Sequence, residues 1–444
     1  MEGQVLDDLV AQCKQVLAEN QHSDYTIPAG NLYPHQWLWD SCFIAIGLAH
    51  YDVPRAQKEV LSLLRGQWAN GMIPNMIFAD GDAHKRDRNM WQSWRSPYAP
   101  DAVATSGITQ PPMLAEAVVR IGRQLGVAER RRWYQTVFPA LVSYHEWLYR
   151  ERDPHEEGLV LLIHPWESGL DNSPPWINQL HMHHKPWWVG LVEKTHIDAV
   201  ANIFRRDTLY VPPGQRISNI EALLYYNVVQ RLKRKNWDID TILNRSHFVV
   251  QDLTFNCILI RAHDHLKAIA KTIGHEVPEW LSDRVHLGKR AISDKLWDPF
   301  TGQFYSRNFV THKLIKEPSI ATLMPLYADA TNEAQTQSLL KLIKGHDFFG
   351  TRYPLPTVPV SYHWYNELKY WQGPTWVNTN WLIIDGLYRL GDTLHADHIR
   401  ERTIEVVSSN GIYEYFSAKT GEPAGAENFS WTAALTIDLI LHKY

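Results

Sequence analysis

A chain of 444 residues with 45% hydrophobic and 21% charged content, 24 Gly and 25 Pro is long enough to bury a large core, and its composition excludes disorder, collagen and coiled coil. A net charge of 44 − 48 = −4 gives no global field to gather nucleic acid or anionic lipid. No stretch reaches the ~18 apolar residues of a membrane span, the acidic start MEGQVLDDLV has no leader-like pattern, and Cys13, Cys42 and Cys257 have no metal or disulfide spacing; the expectation is a cytoplasmic protein with buried thiols.

In chain order, the first element is a helix on which Leu6, Val10, Cys13 and Leu17 share a face. Pro54 opens a second, with Ala56, Val60 and Leu63 inward, and Leu114, Val118, Ile121 and Leu125 mark a third. Segment 132–152 follows, then a helix opened by the capping box of Ser218 and Glu221, with Leu224, Val228 and Leu232 on its apolar face. Helical segments continue near 245–274, 278–296, 319–344, 375–390, 394–408 and 429–442, about a dozen helices in all. One hairpin is predicted, Trp297 to Tyr305, turning at Gly302. Five long connections, 20–36, 68–110, 158–190, 345–374 and 409–428, hold 14 of the 25 Pro and nearly half of the Trp and His, and connections that long and aromatic are read as functional. No linker divides the chain, so the expectation is one all-helical domain over 1–444, with loops 68–110, 158–190 and 345–374 as cap or lid elements on one face.

The 19 Trp, 20 Tyr and 13 Phe provide flat apolar surfaces of the kind that stack on sugar rings, although the same rings also fill cores. Between Trp166 and Trp176 lie two acids, Glu167 and Asp171, in a Gly/Pro-rich loop. A carboxyl against indole rings loses solvation and holds its proton toward neutral pH, which suits a general acid. A second acid, Glu414, stands among aromatics in Tyr413-Glu414-Tyr415-Phe416, with Glu427 nearby. Glycoside hydrolysis uses such a pair, one to protonate the leaving oxygen and one to activate water.

Glu167-Ser168-Gly169-Leu170-Asp171-Asn172-Ser173 resembles the ESGxDxS motif of the helical-toroid glycosidases, the group of trehalases and glycoside hydrolase family 63. Glu414-Tyr415-Phe416, Thr420-Gly421 and Asn428-Phe429-Ser430-Trp431-Thr432 resemble their second motif. Asn31 to Ser41, Ser106 to Pro112 and Tyr370 to Trp376 are similar to blocks of the bacterial mannosylglycerate and glucosylglycerate hydrolases. The blocks run in family order from about residue 30 to 435. The resemblance implies an (α/α)6 barrel and an inverting mechanism in which Asp171 is the acid and Glu414 the base, with Glu167 and Glu427 as rivals. It also implies a substrate pocket formed by Tyr33, Trp37, Trp39, Asp40, Gln110, Trp166, Gly169, Tyr370, Trp371, Gln372, Trp376 and Glu427.

The substrate expected from this resemblance is glucosylglycerate or mannosylglycerate, recycled as a compatible solute. Glycerate carries a carboxylate, and Arg205 in Arg205-Arg206-Asp207 is the expected guanidinium for it. The basic segment 82–95 is a second candidate and a lid. Other small glycosides such as glucosylglycerol or trehalose, or a non-catalytic sugar-binding toroid, are the alternatives. Of His164, His181, His183 and His184 only His181 and His183 stand at a useful ligand spacing, and no phosphate loop, dinucleotide fingerprint or nucleophile elbow is present, so neither metal nor other cofactor is expected. The expected partner is a small sugar, not nucleic acid or membrane; a homo-oligomer stays open.

Overall fold

The computed structural model describes residues 3–30, 32–183, 211–212, 214–244 and 248–443. Among them, twelve helices alternate between two rings: α1 (Gly3–Glu19), α2 (Leu38–Leu48), α3 (Val53–Leu64), α4 (Leu114–Arg123), α5 (Val127–Arg152), α6 (Leu253–Ile273), α7 (Glu279–Lys295), α8 (Met324–Tyr327), α9 (Glu333–Lys344), α10 (Val377–Arg389), α11 (Thr393–Asn410) and α12 (Ser430–Leu441). The even-numbered helices close a ring in which each packs on the next, α12 returning to α2, while the odd-numbered ones lie outside. This is an (α/α)6 barrel.

Burial explains which helix joins which ring. Every residue of α2 is buried, as are Val377–Leu387 of α10 and Ser430–Leu439 of α12, so these segments are covered on all sides, their few polar groups included. The outer α1 buries only the stripe Leu9, Val10, Cys13, Val16 and Leu17. Helix starts are fixed by side chains that satisfy free backbone N–H groups: Asp52 for α3, Asp252 for α6, and a reciprocal Asn332–Gln335 capping box for α9. The Ser218–Glu221 box opens the helix Asn219–Arg234 as expected.

The predicted hairpin forms, with Trp297 opposite Phe304 and Asp298 opposite Gln303. The expected helix over 245–274 begins only at Leu253, because Val250–Gln251 pairs with Arg307–Asn308 and Asp252 caps the helix behind it. The expected helix over 319–344 is broken: a short 3-10 turn runs into α8, and the chain reverses at Asp329 (φ 50°) before the Asn332 cap. The long connections also hold structure of their own. Segment 82–95 contains a helix at Lys85–Trp91, 158–190 contains one at Pro174–His183, and 409–428 forms an antiparallel pair of Tyr413–Phe416 with Pro423–Glu427. Among the described residues no helix is long and apolar enough to cross a membrane.

Candidate active site

A small cavity of about 40 Å³ is lined by Pro28, Tyr33, Trp37, Trp39, Asp40, Gln110, Gly169, Asp171, Tyr370, Trp371, Glu414, Phe429 and Trp431. Each of the five long connections contributes to it, together with the first turns of α2 and α12. Sequence neighbours could not have brought these groups together; the barrel does, by presenting the ends of successive hairpins on one face.

Asp171 follows the turn at Gly169, whose φ is 73° and whose missing side chain admits Trp39: a Cβ there would meet that ring at 2.6 Å. The loop is then fastened on every side. Tyr225 Oη donates to the Asp171 carbonyl at 2.5 Å, Trp176 Nε1 donates to Leu170 O at 2.7 Å, and Asn172 is held by Trp371 N (2.9 Å) and Gln372 Nε2 (2.7 Å). Tyr370 Oη donates to Asp171 Oδ2 at 3.0 Å. Burial raises the Asp171 pKa to about 7; the Tyr370 hydroxyl and Arg216 oppose that shift, and Glu414 adds to it.

Glu414 lies on the inward face of the 413–416 strand, and its two oxygens accept four hydrogen bonds. Oε1 takes Tyr33 Oη and Arg216 Nη1, each at 3.0 Å, and Oε2 takes Ala426 N at 2.9 Å and Arg216 Nη2. The bulged partner strand makes room at Gly425 (φ 76°), where a Cβ would lie 2.5 Å from Glu414 Oε2. The Arg216 guanidinium is itself seated over the rings of Tyr370 (4.6 Å) and Tyr33 (5.4 Å), so the two tyrosines bonded to the two acids also carry the cation.

The rest of the wall is a set of buried polar groups between aromatic faces. Gln110 Oε1 and the indole N–H groups of Trp37, Trp371 and Trp431 are buried without protein partners. Unpaired buried donors and acceptors are costly, and on residues lining one cavity they form a set matched to a polyhydroxylated ligand. Asp40, in the first turn of α2, is held well above the usual carboxylate range by burial.

Other expected wall residues stand elsewhere. Trp376 lies behind Trp371, stacked on it at 3.7 Å and 7°, and supports the wall without lining it. Gln372 fastens Asn172, Trp166 packs against His164 and Tyr225, and Glu427 is exposed at the end of its strand. Glu167 is a fully buried structural carboxylate: Arg152 grips both oxygens at 2.9 and 3.1 Å, and Ile163 N and Thr109 N fill them. His164 accepts from Trp166 N and faces Tyr225 O through its other nitrogen. Arg205 with Arg206, His184, and the side chains of His181 and His183 lie outside the described residues. Arg216, Phe429 and Trp431 are wall or site groups that the sequence reading did not assign, although Phe429 and Trp431 stood within a quoted block.

A larger cavity of about 420 Å³ adjoins the small one, sharing Tyr33 and Trp37 and lined also by Arg86, Asp87, Trp91, Tyr226 and Lys233. At its edge His35, His84 and Asp87 come close together. His35 Nδ1 accepts from Ala79 N, so Nε2 carries the hydrogen that faces Asp87 at 3.1 Å and has no lone pair for a metal.

Comparison with known proteins gives this geometry a family. The mannosylglycerate hydrolase MGH1-like glycoside hydrolase domain matches residues 33–432. A mannosylglycerate hydrolase of Rubrobacter radiotolerans is 36% identical over 99% of this chain and 98% of its own. A glucosylglycerate hydrolase of Mycolicibacterium hassiacum is 33% identical over 97% of each chain. Among solved structures, a family 63 mannosylglycerate hydrolase of Thermus thermophilus in complex with Tris and D-glycerate superposes with a TM-score of 0.85 at 32% identity, covering 97% of this chain and 99% of that one. With its barrel, its full-length match and its intact motif blocks, the chain belongs to the mannosylglycerate hydrolase group of glycoside hydrolase family 63 and is a glycoside hydrolase.

Proposed function

We propose that this enzyme is an inverting α-glycosidase that hydrolyses glucosylglycerate or mannosylglycerate to free sugar and glycerate. The observation that carries the reading is one cavity in which the carboxyls of Asp171 and Glu414 stand in unlike surroundings. Asp171, with a pKa of about 7, keeps a proton to give to the leaving oxygen. Glu414, bonded to Arg216, Tyr33 and Ala426, is the acceptor for a proton of water. In the proposed reaction the water oxygen attacks the anomeric carbon as Glu414 takes its proton. The bond to the aglycone breaks, and the departing oxygen takes the proton of Asp171. Asp40, Gln110 and the indole N–H groups hold the sugar hydroxyls, and Trp39 and Trp371 face the ring.

The carboxylate aglycone is supported by the names of the relatives and by Arg216, the guanidinium that the described site places beside the reacting groups. We also place the enzyme in the cytoplasm, a reading supported by three buried, unpaired cysteines. The test is release of free sugar from glucosylglycerate, mannosylglycerate, glucosylglycerol and trehalose in parallel. Turnover of one or both glycerate glycosides well above the neutral pair is expected. Preference for trehalose or glucosylglycerol would overturn the aglycone assignment, and sugar binding without turnover would identify a binding protein.

A further inference from the structure

The base proposed above stands with its lone pairs full. Tyr33, Ala426 and two nitrogens of Arg216 account for two hydrogen bonds to each Glu414 oxygen, so a water molecule finds no acceptor there until one donor leaves. Tyr33 and Ala426 N are fixed, the first by packing against Phe429 and Trp37, the second by its strand. Arg216 differs. It stands on a short segment between Gly214 (φ 93°) and the Ser218 cap, and its Nε is buried with no partner, so the guanidinium retains capacity for a further acceptor. Gln215 marks the pivot, its carbonyl accepting from Tyr415 Oη at 2.5 Å and its Oε1 from Gly425 N at 3.1 Å. The Tyr370 and Tyr33 rings beneath the guanidinium give it a surface to slide over without losing its cation–π contacts.

We propose that Arg216 is a specificity-determining latch on the general base: it saturates Glu414 in the arrangement described, and the carboxylate of a bound aglycone draws it away, freeing the lone pair that takes the proton of the attacking water. The proposal rests on Glu414 being the base and on an anionic aglycone. Recognition of the carboxylate then acts on the chemical step and not only on binding, because a neutral aglycone leaves the base occupied. The atoms balance as in the hydrolysis itself: the proton released by water passes to Glu414, the one from Asp171 to the aglycone oxygen, and Arg216 exchanges one carboxylate partner for another.

The test compares kcat and KM of wild type, R216A and R216K on the turned-over sugar glycerate and on the matching sugar glycerol glycoside, with thermal melting to verify folding. For wild type, kcat on the neutral glycoside is expected to be lower by about tenfold or more, the cost of breaking a charge-assisted hydrogen bond without a replacement. R216A raises kcat on the neutral glycoside several-fold while lowering kcat/KM on the glycerate about 100-fold or more. R216K, which cannot span both oxygens, falls between the two on each substrate and carries the test if R216A does not fold. Equal wild-type kcat values with only KM differing, or a proportional loss of kcat on both substrates in R216A, would overturn the latch. E414Q separates the two levels: turnover like that of wild type would mean that the base assignment has failed and the latch with it, whereas loss of turnover in E414Q without the R216A pattern above would overturn the latch alone.

Discussion

Glu414 depends on a neighbour with no side chain. A methyl group on Gly425 would lie 2.5 Å from its Oε2, and that backbone, at φ 76°, disfavours any substitution. G425A is therefore expected to displace the carboxylate and lower kcat on the order of 100-fold with a smaller change in KM, as measured by steady-state kinetics on the glycerate substrate. Asp171 makes a different prediction. In the proposed mechanism its protonated form is the working acid, so kcat/KM is expected to fall tenfold per pH unit above about 7; a flat profile between pH 6 and 9 would remove it from that role. The same shift has a stability sign. The folded pKa of about 7 exceeds the ordinary 3.8, so the unfolded chain gives up its proton first and the wild type loses stability as pH rises from about 4 to 7. D171N escapes that loss. Its melting temperature relative to wild type should climb through the same window, toward an advantage on the order of 4 kcal/mol, while its turnover is abolished.

At the scale of the elements, one buried polar network joins five of the inner helices and the turn that follows α2. On α4, Glu116 accepts from Arg120 at 2.8 Å and from Tyr327 of α8 at 2.9 Å, and lies 2.5 Å from His265 of α6. Arg120 reaches Asp385 of α10 at 2.8 Å; Asp438 of α12 takes Trp381 of α10 and His50, just beyond α2, at 2.7 and 2.6 Å. Burial pushes the Glu116 carboxyl up, but His265 and Arg120 hold it well below the usual range. E116Q leaves Arg120 and His265 without their shared anion and is expected to cost about 3–5 kcal/mol, seen as a lower denaturant midpoint with KM unchanged; an unchanged midpoint would mean the network does not bind the ring together. The outer helices were legible because one face is polar and the period shows. α2 was missed because all its residues are buried, so no period distinguishes its faces. The break in 319–344 could have been read from Asn332 and Gln335, a capping box inside the expected helix.

Over the whole molecule, the barrel turns distant loops into one cavity, and that sets the limit on reading the site from sequence. Asp40, Gln110, Asp171, Tyr370 and Glu414 could be singled out because each sits in a compact motif block. Arg216 could not, since its partner is 198 residues away and its own surroundings read only as a Pro/Gly connection before a helix. Trp376 shows the converse error: a Trp in a motif block serves as support for Trp371 and not as wall, a distinction of depth that spacing does not carry. In the proposed mechanism Asp171 and Glu414 deliver and remove protons across one sugar ring in a single displacement. The measurement that tests it most directly is the proton NMR spectrum of the sugar in the first minutes of hydrolysis of an α-linked glycerate glycoside, before mutarotation. The β anomer is predicted; the α anomer as first product would show a double displacement and contradict the roles of Asp171 and Glu414.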